Sequence, residues 1–326
     1  MIKLIIKIFL LVLVVAGTLF LILRRSGSKV YDSNNYFAAI IDKDSLIMNT
    51  ASPRIIFAGA SNLAFGLDSK MIEKEFGMPV INMGLHGNFG LSFILNNVKK
   101  NIREGDIIIL SLEYYLDELY YKDIDYITHL YPKAEEYIDR DGDYYSQKAK
   151  YFVSEAQAGK QKLFNQFFDK VLKFKEAKVF VSDQLHSYDT LIYSRNAFNS
   201  NGDVVSHIGK KYPDEIRGRT LIEAKDYSES IKKLNDFAEY VKAHGARVYF
   251  TYASYPETEF KKNILAIEEF EKQLKDDMKI EIITTPQEMM FSDSLFFDTV
   301  YHLNEEGRRE RTEILIEKMK EKKIVN

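Results

Sequence analysis

The sequence predicts a three-layer α/β/α protein with a parallel sheet, preceded by one N-terminal transmembrane helix. Two observations predict the α/β part: short apolar runs typical of buried strands alternate with helix-like segments, and glycine-containing turns separate them. Parallel strands joined by helices require right-handed crossovers, which place helices on both faces of the sheet. The third observation is an uncharged apolar run near the N-terminus, which predicts the transmembrane helix.

The first element is the apolar run at residues 8–23 (IFLLVLVVAGTLFLIL), which contains no charge. Together with residues 4–7, and with the Lys7 amine reaching toward the membrane surface, it supplies the roughly 20 residues that cross a bilayer. A cleaved signal peptide and a buried core helix are the alternatives, but the run is long for a signal, lacks a small-x-small cleavage site and is not amphipathic. We therefore predict an uncleaved anchor at residues 1–25, in the lipid bilayer of the cell membrane, and a linker at 26–50.

The basic residues on the two sides of the apolar run do not indicate how the anchor is oriented across the membrane. Lys3 and Lys7 precede the apolar run, whereas Arg24, Arg25 and Lys29 follow it. Basic residues favour the cytoplasmic side of a membrane, and here both flanks carry them in similar number. The side on which the globular part lies therefore has to be argued from its function.

The globular domain is predicted at residues 51–326, with its strands marked by short apolar runs. The run RIIFA ends at Gly59, a second run leads into the glycine-rich GLHGNFG, and Gly105-Asp106 introduces IIILSLEYY. The continuous apolar run in the last of these is typical of a strand covered on both faces. We predict strands at 54–58, 79–83, from residue 107, at 246–254 and at 280–284, and helices at 68–76, 91–102, 226–244 and 304–322.

The alternation of strands and helices fails between about residues 115 and 225. This stretch contains a helix-like part at 148–177 and a part rich in glycine and asparagine at 194–209. A structureless loop of that length is uncommon within a compact domain. We therefore predict a long, mostly helical insertion that lies over the carboxyl edge of the sheet and serves as a lid or a partner surface.

The composition excludes several kinds of site. The chain has no cysteine, which rules out disulfides, thiolate nucleophiles and cysteine-ligated metal sites. It carries 45 lysines and arginines against 48 aspartates and glutamates, and the remainder without the basic anchor is more acidic still. Nucleic acid is therefore not an expected partner. The histidines show no HExxH or similar ligand spacing, so we expect neither a metal site nor another cofactor.

Three motifs carry candidate chemistry, and each follows a predicted strand. Ser61 stands in the turn after the first strand, with its hydroxyl and backbone N–H at the sheet edge, although a serine there can equally cap a helix. Asp298 and His302 supply the carboxylate and base that a serine nucleophile requires, although a lone histidine is often a surface residue. The turn with Gly84 and Gly87 brings backbone N–H donors close to a ligand, although a tight turn explains the glycines equally well.

In this order, the motifs resemble those of the SGNH, or GDSL-like, hydrolase superfamily. The segment GASN at 59–62 is similar to the serine turn of that family, with alanine in place of the usual aspartate. Gly87 is similar to the second motif, and YHLN, which contains His302, is similar to the last one. The resemblance covers roughly residues 54–113 and 226–322.

The resemblance implies a flavodoxin-like parallel sheet and a catalytic triad of Ser61, His302 and Asp298. It also implies an oxyanion hole to which the backbone N–H groups of Ser61 and Gly87 contribute. Asp298 precedes His302 by four residues, where the family norm is three. This spacing is the smaller of two departures from the family pattern.

The larger departure lies at the third motif, where the family has an asparagine just after the strand. This sequence continues instead with Glu113 and Tyr114. The oxyanion hole would then rely on Ser61 and Gly87, or take a donor from Asn88 or Tyr114, while Glu113 is expected to line the pocket. Loss of one oxyanion donor costs about 3 kcal/mol of transition-state stabilisation.

The resemblance implies serine-dependent transfer or hydrolysis of an acyl group, in particular acetyl, on a cell-envelope polysaccharide. The chain is similar to membrane-tethered relatives associated with bacterial polysaccharide O-acetylation and teichoic-acid D-alanylation, which often accompany a multi-spanning membrane acyltransferase. The expected partners are therefore an acylated polysaccharide or similar glycan and such an acyltransferase, with the domain outside the cytoplasm. The alternative is a non-catalytic SGNH-like protein that binds a glycan or serves as a scaffold for the acyltransferase.

Overall fold

The computed structural model describes residues 2–27, 31–114, 119–171, 191–210, 216–218 and 221–325. The chain divides into two units. The first, which we term the helical unit, comprises Met1–Asp32 and Arg140–Tyr188; the second, which we term the sheet unit, comprises Ser33–Asp139 and Asp189–Asn326. All the candidate site residues lie in the sheet unit.

A parallel sheet forms the centre of the sheet unit. The strands of this unit are β1 (Ile55–Gly59), β2 (Val80–Asn82), β3 (Ile107–Leu112), β4 (Arg247–Tyr252), β5 (Tyr255–Pro256), β6 (Glu281–Ile282) and β7 (Met290–Phe291). Five of them form the central sheet in the order β2-β1-β3-β4-β6, and each neighbouring pair is parallel. Strands β5 and β7 pair separately. Both β1 and β3 are buried along their whole length, as their continuous apolar runs predict.

Helices connect the strands of the central sheet. The described α-helices are α1 (Ile2–Gly27), α2 (Ala39–Asn49), α3 (Ser61–Gly66), α4 (Ser69–Phe76), α5 (Gly90–Lys99), α6 (Tyr121–Leu130), α7 (Gly142–Val171), α8 (Ser228–Ala243), α9 (Glu257–Lys262), α10 (Ile264–Asp277) and α11 (Glu305–Glu321). Short 3-10 helices lie at Tyr36–Ala38, Pro132–Tyr137, Arg195–Ala197 and Asp293–Leu295.

Helices pack on both faces of the sheet because successive side chains of a strand point to opposite faces. Along β1, Ile55 and Phe57 join Leu315 of α11 in one buried apolar cluster. Ile56 and Ala58 join a second cluster, which includes residues of α5, α8 and α10. The predicted α/β class with a parallel central sheet is therefore confirmed.

Helix α1 of the helical unit is long and apolar enough to span a membrane. None of its most apolar stretch is buried, whereas the core helix of a globular protein would be mostly buried. Near its end, Arg24 Nε donates to Glu155 Oε2 of α7 over 2.6 Å, and the guanidinium lies 3.8 Å from the centre of the Phe152 ring. The predicted N-terminal apolar helix is confirmed, and α7 contacts its charged end.

The linker predicted at 26–50 differs from the structure, because part of it folds as helix α2 of the sheet unit. Ile40 of this helix is fully buried. The buried amine of Lys43 donates to the carbonyl oxygens of Asn82 and Gly202 over 2.7 and 2.6 Å. These partners lie far along the chain, so local sequence gives no sign that α2 is part of the domain.

The insertion predicted at about 115–225 is divided between the two units. Helix α7 covers most of the helix predicted at 148–177, and residues 172–177 lie outside the described part of the chain. The segment Arg140–Tyr188 belongs with α1, whereas both flanks of the predicted insertion belong to the sheet unit. Its placement over the carboxyl edge of the sheet stays a prediction.

Candidate active site

Ser61 begins helix α3 directly after strand β1, at the carboxyl edge of the sheet. The parallel register places Gly59, the last residue of β1, beside Ser111 of β3. A Cβ at position 59 would lie 2.0 Å from the Ser111 carbonyl oxygen, so only glycine fits there. The serine turn therefore stands next to the end of β3, where Glu113 follows.

A buried arginine holds the backbone of the serine turn. Arg311 of helix α11 donates to the Asn62 carbonyl oxygen over 2.6 Å and to Ser111 Oγ over 2.8 Å. The Asn62 side chain also donates to Ser111 Oγ, over 2.9 Å. Burial lowers the pKa of Arg311 to about 9, and no described residue forms an ion pair with it. The residue after Ser61 is thus tied to both β3 and α11, which restricts the position of Ser61.

Asp298 and His302 form the second part of the candidate site, in the loop before helix α11. His302 Nδ1 lies 2.8 Å from Asp298 Oδ1, and with the proton on Nδ1 this contact leaves Nε2 free to accept a proton. The other oxygen of Asp298 accepts from the Tyr193 hydroxyl and from the Arg217 guanidinium. The His302 ring stacks on Phe65 of α3, with centroids 3.9 Å apart and planes 8° from parallel.

The surroundings of Asp298 keep its carboxyl group ionised. Burial alone would raise its pKa, but the charge of His302, the hydrogen bonds with His302 and Tyr193 and the charge of Arg217 together lower it to about 2. Burial and the nearby Asp298 charge raise the pKa of Tyr193, which therefore stays a neutral donor. An ionised carboxylate that binds Nδ1 orients the histidine so that Nε2 can act as a base.

Glu113 contacts Ser61 directly. The Ser61 hydroxyl donates to Glu113 Oε1 over 3.1 Å, and the backbone N–H of Asn62 donates to the same oxygen over 3.3 Å. Burial raises the pKa of Glu113, although the charge of His302 and the hydrogen bonds from Ser61 and Asn62 oppose that change. Glu113 thus reaches the serine turn from the end of β3, the region where the resemblance to SGNH hydrolases leads us to expect an asparagine.

The glycine turn after β2 packs against the same carboxyl group. A Cβ at Gly87 would lie 2.7 Å from Glu113 Oε2, so the absence of a side chain there leaves room for the glutamate. The Asn88 side-chain amide, a candidate oxyanion donor, donates instead to Asp123 of α6 over 2.8 Å. The structure therefore brings Gly87 to the site and directs the Asn88 amide toward α6.

Tyr114, the other candidate donor, is part of the core. Its ring packs against those of Tyr255 and Phe270, with centroids 5.4 and 5.5 Å away. Its backbone N–H donates to the Tyr301 hydroxyl over 3.3 Å. These contacts fix Tyr114 within the packing between the sheet and α10, and its side chain is not brought to Ser61.

Helix α3 links Ser61 and His302, because it contains the serine and packs against the histidine ring. Ser61 begins this helix, and Phe65, one turn later, stacks on the His302 ring. Within the described part of the chain, no hydrogen bond joins Ser61 Oγ to His302, and the serine hydroxyl donates to Glu113 instead. The charge of His302 nevertheless partly opposes the effect of burial on the pKa of Glu113.

Sequence reasoning misses two residues that hold Asp298. Tyr193 and Arg217 precede it by 105 and 81 residues, in a stretch that no strand or motif marks. For Glu113 a signal exists, since its position directly after β3 puts it at the sheet edge. That position alone does not reveal its contact with Ser61.

Comparison with known proteins leaves the family open. No protein-family model matches the chain, and no curated protein matches it. Among the residues that the structure describes, no group of three or more His, Asp or Glu side chains is arranged to hold a metal ion. The candidate chemistry of the site is that of its serine, histidine and carboxyl groups.

Proposed function

We propose that this protein is a membrane-anchored, SGNH-like serine enzyme that transfers or removes an acyl group, in particular acetyl, on a cell-envelope polysaccharide. The observation that carries the proposal is the Asp298–His302 pair, held against the helix that Ser61 begins. A serine hydroxyl is a weak nucleophile near neutral pH, and a histidine oriented by a carboxylate is the usual means of activating it.

The order of the strands supports the SGNH-like part of the proposal. The central order β2-β1-β3-β4-β6 supports a flavodoxin-like arrangement, in which the chain switches direction between β1 and β3. Ligands of such sheets bind outside the carboxyl ends of the strands at that switch point. Ser61 follows β1 and Glu113 follows β3, so the proposed nucleophile lies at this position.

In the proposed first half-reaction, Ser61 Oγ attacks the carbonyl carbon of the acyl donor and its proton passes to His302 Nε2. The carbonyl oxygen carries the negative charge of the tetrahedral intermediate. When the intermediate collapses, the bond to the leaving alcohol breaks, His302 gives its proton to that alcohol, and the acyl group stays on Ser61. For this step Ser61 Oγ must turn from Glu113 toward His302 as the donor binds.

In the second half-reaction, the hydroxyl of a sugar or of water gives its proton to His302 and attacks the acyl carbon. The bond between the acyl group and Ser61 then breaks, and His302 returns the proton to the serine. A sugar acceptor makes the enzyme a transferase, and water makes it an esterase. A multi-spanning membrane acyltransferase is the proposed source of acyl groups.

The apolar helix α1 supports the proposed location. A helix of this length and composition fits a single-pass anchor in the cell membrane. A domain that modifies an envelope glycan has to face outward, so we place the sheet unit outside the cytoplasm. Protease added to intact cells should then cleave within the sheet unit, and protection of that unit would contradict this orientation.

The test of the reaction uses the purified full chain in detergent and an activated acetyl ester. Ser61→Ala and His302→Ala should each reduce kcat by about 10³-fold or more, because neither group can replace the other. Ser45→Ala and His244→Ala, which change exposed side chains, are the matched controls and should keep the wild-type rate. Equal rates in all five proteins would refute the catalytic proposal.

A second candidate function rests on the contact between Ser61 and Glu113. Because the serine hydroxyl donates to Glu113 and not to His302, the fold also suits a non-catalytic protein that binds a glycan or the membrane acyltransferase. The wild-type full chain would then show no hydrolysis and no transfer that depends on Ser61. It would still bind envelope polysaccharide or co-purify with the acyltransferase.

A further inference from the structure

The carboxyl group of Glu113 occupies a position that matters for acyl chemistry. Its Oε1 atom lies 3.1 Å from Ser61 Oγ and 3.3 Å from the backbone nitrogen of Asn62, and it accepts a hydrogen bond from each. A carbonyl oxygen whose carbon is under attack by Ser61 would also lie within reach of the nucleophile and of a backbone N–H donor. In the resting site, Glu113 Oε1 therefore has the two neighbours that an acyl oxygen would have, the Ser61 hydroxyl and a backbone N–H.

The second oxygen of the same carboxyl group faces the glycine turn. Oε2 is so close to Gly87 that a Cβ there would approach it to 2.7 Å. The carboxyl group is thus enclosed by the serine turn on one side and the glycine turn on the other. An acyl oxygen that replaces Oε1 beside Ser61 would keep this carboxyl group as its neighbour.

We propose that Glu113 is a catalytic residue of this site and acts in its neutral, protonated form as a hydrogen-bond donor to the acyl oxygen. The inference rests on the proposed acyl-transfer function and identifies the donor that replaces the asparagine. A carboxylate can only accept hydrogen bonds and would repel the developing negative charge, whereas a protonated carboxyl group has one O–H to donate. A carboxylic acid kept neutral by its surroundings can serve as an oxyanion donor.

Burial favours the neutral form of Glu113, whereas its hydrogen-bond partners and the charge of His302 act in the other direction. Burial raises its pKa, and the charge of His302 together with the bonds from Ser61 and Asn62 only partly opposes this. Tyr36, from the segment before α2, carries no charge, and burial raises its pKa further.

Two further titratable groups lie near this part of the site. Burial lowers the pKa of His86 in the glycine turn, which favours its neutral form. Asp298 is ionised and paired with His302. Since the pKa of Glu113 is raised, its neutral form persists to higher pH than that of a free glutamate, and donor activity is lost as pH rises through that pKa.

Two substitutions of Glu113 in the full chain separate a neutral donor from other roles. Glu113→Gln keeps the shape and an N–H donor but cannot ionise, so kcat/KM should stay within about tenfold of wild type and its decline at alkaline pH should disappear. Glu113→Ala removes the donor and should lower kcat by about 10²-fold. Glu104→Gln, at an exposed glutamate before β3, is the matched control and should keep the wild-type profile.

Other results of the same comparison overturn the proposal. If Glu113→Gln loses as much activity as Glu113→Ala, the glutamate acts as an ionised base toward Ser61. If both variants are faster than wild type, the carboxyl group blocks the site and has to leave it. If the alkaline decline remains in Glu113→Gln, another group causes it.

An infrared difference spectrum of wild type against Glu113→Gln tests the protonation state without turnover. A protonated carboxyl band near neutral pH that is present only in wild type is the expected result, and its absence overturns the proposal. Turnover that needs Ser61 but shows no such band removes only the role of Glu113. A band without any Ser61-dependent turnover removes the proposed function and, with it, this catalytic role.

Discussion

The two carboxyl groups of the candidate site, Asp298 and Glu113, differ in their partners. Asp298 contacts His302, Tyr193 and Arg217, and despite its burial these contacts lower its pKa to about 2. Glu113 has the Ser61 hydroxyl and one backbone N–H as hydrogen-bond partners, and burial raises its pKa. No cationic side chain of the described residues pairs with it.

The contrast shows how one site separates the roles of two similar groups. A carboxylate with a cation and two donors remains ionised and can orient a histidine, whereas a carboxyl group without a cation is displaced toward its neutral form. Pairs of titratable groups with pKa values driven apart are a recognised sign of acid and base assignments. We therefore regard Asp298 as the carboxyl group that stays ionised and Glu113 as the one whose protonation can change.

The strongest way to break this comparison is to remove the charge of Asp298. Asp298→Asn should lower kcat for an activated acetyl ester by 10³- to 10⁴-fold, because the amide favours the wrong His302 tautomer. Asp277→Asn, at an exposed position at the end of α10, is the control. Equal kcat values for Asp298→Asn and wild type would show that His302 needs no carboxylate.

A smaller change removes only the cation. Arg217→Met should raise the pKa of Asp298, so that the loss of kcat/KM on acidification begins at a higher pH than in wild type, with little change near neutral pH. The shift should be modest because the Arg217 side chain is 36% exposed. Arg247→Met, at an exposed arginine of β4, should leave the pH profile unchanged. A profile that does not move in Arg217→Met would count against the ion pair.

The mildest test alters the space around Glu113. Gly87→Ala places a methyl group close to Oε2, and the flexible end of the glutamate can shift away from it. We expect kcat/KM to fall by about threefold with no loss of secondary structure by circular dichroism. In Gly142→Ala the added Cβ meets nothing within 4 Å, so this variant should match wild type. An effect of equal size in both variants would exclude a specific contact.

The sequence predicts those parts of the fold that depend on local pattern. The runs at β1 and β3 are continuously apolar because both faces of these strands are covered, and such runs are visible without a structure. Ser61 follows one of these strands, so it can be placed at the sheet edge. His302 and Asp298 are recognised by their position before the last helix.

Long-range contacts are what the sequence does not reveal. The sequence of helix α2 resembles that of a linker because the contacts that bury it come from distant segments. Its Lys43 donates to the carbonyl oxygens of Asn82 and Gly202. Tyr193 reaches Asp298 across 105 residues of chain, and no periodic pattern connects them. Glu113 is visible at the end of β3, but its role depends on a hydroxyl that belongs to another turn.

The most direct test of the central claim is to find the acyl group on Ser61. The full chain is incubated with an acetyl ester, quenched in acid within the first turnovers, digested and examined by mass spectrometry. We expect acetylation of the Ser61 peptide in wild type and none in Ser61→Ala. Turnover without any acyl group on Ser61, or with an acyl group on another residue, would contradict it.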